Sequence, residues 1–133
     1  RMIDFNASLG NDKHLTRTIY MLLNSSGLEP PSPLLISEKL DIDMKKLTGI
    51  LSFMVREGRL FRIKDDIFLT DENEKILKEK IREFFRNNST MNPADMKTIT
   101  GVSRKYAIPY MEYLDRIRIT LRVGDMRNPY PTP

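Results

Sequence analysis

The chain has 133 residues, 40% of them hydrophobic and 30% charged, with no cysteine, no tryptophan and a net charge of +4. That length holds one ordinary domain or two very small ones. The apolar share excludes a wholly disordered chain, and the absence of cysteine excludes a disulfide framework or a thiolate metal site. No apolar run approaches the ~20 residues that cross a bilayer. Arg1 to Phe5 also lacks the charged-then-apolar layout of a signal peptide, so a cytoplasmic chain without membrane contact is expected. The chain does not begin with methionine, so it reads as a piece of something longer, with residues 1–12 as a connection from a preceding domain.

In chain order, Leu15, Ile19, Leu22 and Leu23 line one face of a first helix. It runs into Ser25-Ser26-Gly27 and a loop carrying Pro30, Pro31 and Pro33. Leu34 to Leu40 reads as a short helix. Asp43 then caps a longer one, with Met44, Leu47, Ile50, Leu51 and Met54 on one face and Gly58 suited to its end. Leu60 to Ile63 and Ile67 to Leu69, separated by Lys64-Asp65-Asp66, predict a β-hairpin.

The plan then repeats. Asp71 and Glu74 have the spacing of a capping box, and Leu77, Ile81, Phe84 and Phe85 reproduce the first helix's spacing. Pro93 to Ile99 is a second short helix, Gly101 its turn, and Ser103 the cap of a third helix that reaches Arg116. The two long-helix caps, Asp43 and Ser103, lie sixty residues apart. Ile119 to Val123, Gly124-Asp125 and a short return through Met126 and Arg127 form a second hairpin. The expected fold is therefore mainly α with small β-hairpins. It consists of two tandem winged-helix domains, a helix-turn-helix variant, over 13–70 and 71–133. Pro109 inside the last helix is expected to bend it or loosen its first turn. The prolines of Asn128 to Pro133 predict a short second wing.

Catalysis finds no foothold. The single histidine, His14, lies near the start of an amphipathic helix without an adjacent nucleophile, and no phosphate-binding glycine loop is present. Asp65-Asp66 and Asp71-Glu72 suit a turn and a helix start. Neither enzymatic activity nor a cofactor or metal site is expected of this chain. The charge is more informative. Lys97 to Arg127 holds seven Lys/Arg against three acids, a surplus equal to that of the whole chain, while residues 1–96 balance at fifteen of each sign. Such concentration favours a polyanionic partner and makes the first unit a spacer. Arg104 and Lys105 follow Ser103 into the first turn of the last helix, where free backbone N–H groups already favour anions. Tyr106 adds a face able to stack on a base. Arg116, Arg118, Arg122 and Arg127 gather around the wing, whose tip is Gly124-Asp125; arginines there can fork onto phosphates or guanine edges.

Ser103 to Pro109, Glu112 to Arg116, and Thr120-x-Arg122-Val123-Gly124-Asp125-x-Arg127 resemble the last winged helix of the bacterial selenocysteine-specific translation elongation factors. Gly27 to Ser32 resembles the loop opening that family's penultimate winged helix. In place of the family's usual residues, Arg118 stands for a glycine and Leu121 for a basic residue. The resemblance implies an mRNA hairpin, the selenocysteine insertion (SECIS) element beside a UGA codon, as partner of a monomeric tail. Ribosome, selenocysteinyl-tRNA, GTP and Mg would be engaged through a GTPase elsewhere in the parent factor. Motif positions Arg104, Lys105, Tyr106, Arg122, Gly124, Asp125 and Arg127 carry over as candidates. A DNA-binding winged-helix regulator is the main rival, and a protein–protein adaptor a third reading. DNA readers usually present polar side chains along the third helix, whereas the cations here cluster at its start and in the wing.

Overall fold

The computed structural model describes residues 2–131, with side chains described from residue 13 onward. Ten elements follow the predicted order. They are α1 (Met2–Ser25), α2 (Pro33–Leu40), α3 (Met44–Arg56), β1 (Leu60–Lys64), β2 (Ile67–Thr70), α4 (Asp71–Phe85), α5 (Pro93–Thr100), α6 (Arg104–Arg116), β3 (Thr120–Val123) and β4 (Met126–Pro129). The backbone of α1 takes in most of the segment expected as a connection, whose side chains lie outside the described residues. Local chemistry places most boundaries. Ser32 and Asn92 cap α2 and α5, each with proline in the first turn, and Asn92 forms a reciprocal capping box with Asp95. Gly58 and Gly101 adopt positive φ just past the ends of α3 and α5, the left-handed conformation that glycine enters without strain.

One boundary moves. The cap of α4 is Thr70 rather than Asp71: its hydroxyl oxygen accepts from the Asn73 N–H at 3.2 Å. Thr70 is also the last residue of β2, so no linker separates the two units. The same hydroxyl donates to Asn24 Oδ1 at 2.6 Å, and the Asn73 amide donates to the carbonyls of Asn24 and Gly27. Glu74, expected to complete a capping box, turns inward instead. It is 3% exposed, accepts from the Tyr113 hydroxyl at 2.6 Å and pairs with Lys78 at 3.0 Å. A buried carboxylate persists only with such partners.

The first wing explains how two units so small hold together. Antiparallel β1 and β2 have alternating faces. Leu60 and Phe68 enter one core with Ile19, Leu23, Leu47, Leu51 and Met54. Ile63, Ile67 and Leu69 enter the other, with Leu77, Ile81, Met96, Tyr110 and Leu114. All four residues of β2 are buried. The wing is a shared wall, and its three residues in the second core each contribute about 1.5–3 kcal/mol of burial.

The second wing is longer than its prolines suggest. β3 and β4 pair from Val123↔Met126 out to Thr120↔Pro129. Pro129 is tolerated because it ends an edge strand, where a missing N–H breaks no interior ladder. Arg127 also exchanges both backbone hydrogen bonds with Met91 at 2.8 Å, which anchors β4 from its other side. Pro109 sits buried within an unbroken α6. It cannot donate to the Lys105 carbonyl, but Ala107 still bonds Ser103, so the first turn holds. No helix among the described residues is long and apolar enough to cross a membrane.

Candidate nucleic-acid interface

The cations predicted to form one basic surface divide into those that face solvent and those tied into the fold. Arg104 and Lys105 are exposed in the first turn of α6. Ser103 is the N-cap, but its side chain makes no cap bond. Its backbone N–H donates to the Glu29 carboxylate of the first unit at 2.9 Å. The orphan N–H groups and the dipole at a helix start favour a negative charge, and in this fold Glu29 supplies one. On the wing, Arg122 is exposed, and its Nε donates to the Gly124 carbonyl at 2.9 Å, holding the side chain along the turn. Gly124 has φ +65° and Asp125 is exposed at the tip. Arg118 is exposed too, with its guanidinium 6.0 Å from the Tyr130 ring centroid. Its φ of +63° lies in the left-handed region that glycine enters without strain.

Two expected contact residues are committed elsewhere, and a third, Arg116, is exposed but tethered. Arg127 pairs with Arg122 across the hairpin backbone, but its side chain points inward and the residue is only 5% exposed. Its Nε and a terminal nitrogen donate to both oxygens of Asp115 at 2.9–3.2 Å. Asp115 also accepts from the Thr120 hydroxyl at 2.6 Å. Arg127 therefore braces the base of the wing. Arg116 donates to the Ile63 carbonyl of the first wing at 3.1 Å. Tyr106 is half-buried: its hydroxyl donates to the Pro30 carbonyl at 3.0 Å, and its ring stacks on Tyr110 at 6.3 Å. The Lys105 ammonium lies 5.4 Å from the Tyr106 ring centroid. Tyr110 likewise donates to the Leu28 carbonyl at 2.6 Å, and burial pushes its phenol well above the usual tyrosine range. The face of α6 that holds Tyr106 and Tyr110 is thus docked on the Leu28–Pro30 loop.

This geometry sets an expectation for Tyr106. Tyr106→Phe removes one part-buried hydrogen bond, costing about 0.5–1.5 kcal/mol by thermal melting, and leaves preference between a cognate and a loop-altered hairpin unchanged. A loss of that preference with the fold intact would return Tyr106 to the reading surface.

Sequence reasoning passed over Glu29, Tyr110 and Asp115. Their partners lie 74, 82 and 12 residues away, so no local spacing announces them. It also passed over a group of cations in the first unit, Lys13, Arg17, Lys45 and Arg59, which line one cleft. A signal for one of them existed: Lys45 follows the cap Asp43 by two residues, as Lys105 follows Ser103. No group of three or more metal-ligating side chains occurs among the described residues.

Fold and site together define a tandem winged-helix module with a shared inter-unit wall and cations exposed on the second unit. Residues 83–128 match a family model described as "Elongation factor SelB, winged helix". The selenocysteine-specific elongation factor of Desulfomicrobium baculatum is 31% identical over 121 residues, 90% of this chain and 19% of that protein. Residues 83–128 thus carry the winged helix of this elongation-factor family, and the chain spans about a fifth of the length of that curated relative. Among solved structures, the mRNA-binding domain of SelB from E. coli, determined in complex with SECIS RNA, has the same fold. Its TM-score is 0.78 at 22% identity, covering 90% of this chain and 98% of that one. A bacterial selenocysteine-specific elongation factor, EF-Sec, matches at TM-score 0.53 and 33% identity over 62% of this chain and 14% of that one.

Proposed function

We propose that this chain binds the selenocysteine insertion hairpin of an mRNA through its second winged helix, residues 71–133. In that reading it tethers a parent elongation factor at a UGA codon to be recoded. The observation that carries the reading is the exposed Arg104-Lys105 pair at the start of α6, inside the segment that matches the SelB winged-helix model. Arg118 and Arg122 add exposed charge on the adjoining wing. The parent factor would bring GTP, Mg, selenocysteinyl-tRNA and ribosome contact through its other domains, in the cytoplasm. This segment's part is recognition without chemistry.

A groove-reading DNA regulator fits the site less well. Half of α6 is buried, at Ala107, Pro109, Tyr110, Met111, Tyr113 and Leu114. The Leu28–Pro30 loop covers the face carrying Tyr106 and Tyr110. What stays open is one helix end and a hairpin, suited to phosphates and unstacked bases of a compact loop rather than to a helix laid along a major groove. Gel-shift titration against the hairpin, a loop-scrambled hairpin and duplex DNA tests the choice. The hairpin is expected to bind tightest, and four phosphate contacts predict a slope of log affinity against log salt of roughly −3 to −4. Equal binding to duplex DNA would reject the reading.

A further inference from the structure

We infer that the first unit carries a second RNA site, a cleft between α1 and α3 that takes single-stranded RNA independently of the hairpin surface. Summed over residues 1–96 the charge is zero, but the fold does not spread it evenly. Lys13 and Arg17, one turn apart on α1, face Lys45 from the first turn of α3 and Arg59 from the start of the first wing across a cleft of about 660 Å³. All four are exposed, and none of the described residues lining the cleft is acidic.

Three features indicate a polymer of phosphates and bases rather than a small anion. The cations come from three separate elements instead of converging on one point, as neutralising successive phosphates requires. Phe53 lines the cleft with 44% of its surface exposed, a bare aromatic face of the kind on which unpaired bases stack. Gly49 sits in the middle of α3, where glycine weakens a helix, and a side chain built there would meet nothing within 4 Å. The space above it is open to a ligand approaching the helix backbone. The wall is also preset. Arg59 lies 4.5 Å from the Tyr20 ring centroid, and Tyr20 donates its hydroxyl to Asp71 at the start of α4. Together these features fit a sequence-tolerant groove for a single strand. It differs from the second unit's surface, where the aromatics are docked and only the cations face out.

The test uses the full chain, a labelled mixed-sequence 10-nucleotide single-stranded RNA, and unlabelled hairpin at saturation, read by fluorescence anisotropy. The oligonucleotide is expected to bind the hairpin-saturated protein. Arg17→Gln with Lys45→Gln should weaken it at least tenfold while changing hairpin affinity less than twofold, and Arg104→Gln with Lys105→Gln should do the reverse. Phe53→Ala should weaken the oligonucleotide several-fold further, with circular dichroism confirming the fold of each variant. Displacement of the oligonucleotide by hairpin, or an Arg17/Lys45 variant within twofold of the parent, overturns the second site. A duplex RNA of the same length binding the cleft equally well also overturns the single-strand assignment. Failure of the hairpin alone to bind, with cleft-dependent oligonucleotide binding intact, overturns the proposed function and leaves this site standing.

Discussion

Asp115→Ala is expected to be the most damaging single substitution outside the apolar cores. It strips the buried Arg127 guanidinium of both its carboxylate oxygens and leaves the Thr120 hydroxyl without its acceptor. Breaking a buried ion pair from one side costs about 3–5 kcal/mol, because the remaining charge stays in a poor solvent. For a chain of this size that lowers the melting midpoint by roughly 10–20 °C. Arg127→Met should cost less, since methionine fills similar volume and Asp115 keeps 23% side-chain exposure to water. The double variant Asp115→Leu with Arg127→Met should recover most of the loss, as matched apolar replacements of buried pairs do. Thermal melts of the three variants check the ordering. A loss below about 1 kcal/mol for Asp115→Ala would mean that the base of the wing relaxes to let water reach Arg127.

Removing the exposed pair at the start of α6 should do the opposite, sparing stability and cutting binding. Arg104→Gln with Lys105→Gln is expected to lower hairpin affinity by roughly 10- to 100-fold near 0.1 M salt and to reduce the salt slope by about 2, one unit per lost phosphate contact. The melting midpoint should hold, because neither side chain is buried. The affinity loss should be nearly the same for cognate and loop-altered hairpins, since phosphate contacts position without specifying. An unchanged slope would move the phosphate contacts to the wing, to Arg118 and Arg122.

The sequence by itself determined the order and kind of every helix and strand after the first turns of α1, to within a residue or two. Each depends on neighbours along the chain. Apolar residues at helical spacing, prolines in first turns, Asp43 and Ser103 at the N-cap positions, and Gly58, Gly101 and Gly124 at positive φ act over a handful of positions. The sixty-residue repeat and the basic bias of the second half were legible for the same reason. Tertiary structure decided which of those basic residues are free. Arg127 and Arg122 look alike in the motif and face each other across the hairpin, yet one side chain reaches in to Asp115 while the other lies exposed along the turn. Tyr106 reads as a base-stacking ring until the Leu28–Pro30 loop, brought from more than seventy residues away, takes its hydroxyl. The zero sum over residues 1–96 conceals the Lys13, Arg17, Lys45 and Arg59 cleft, because adding charges along a chain discards where the folded backbone puts them. Helix periods and caps are fixed by short-range sterics and hydrogen bonds, whereas availability to a ligand depends on which distant group desolvates or pairs with a side chain, and only the packed fold sets that.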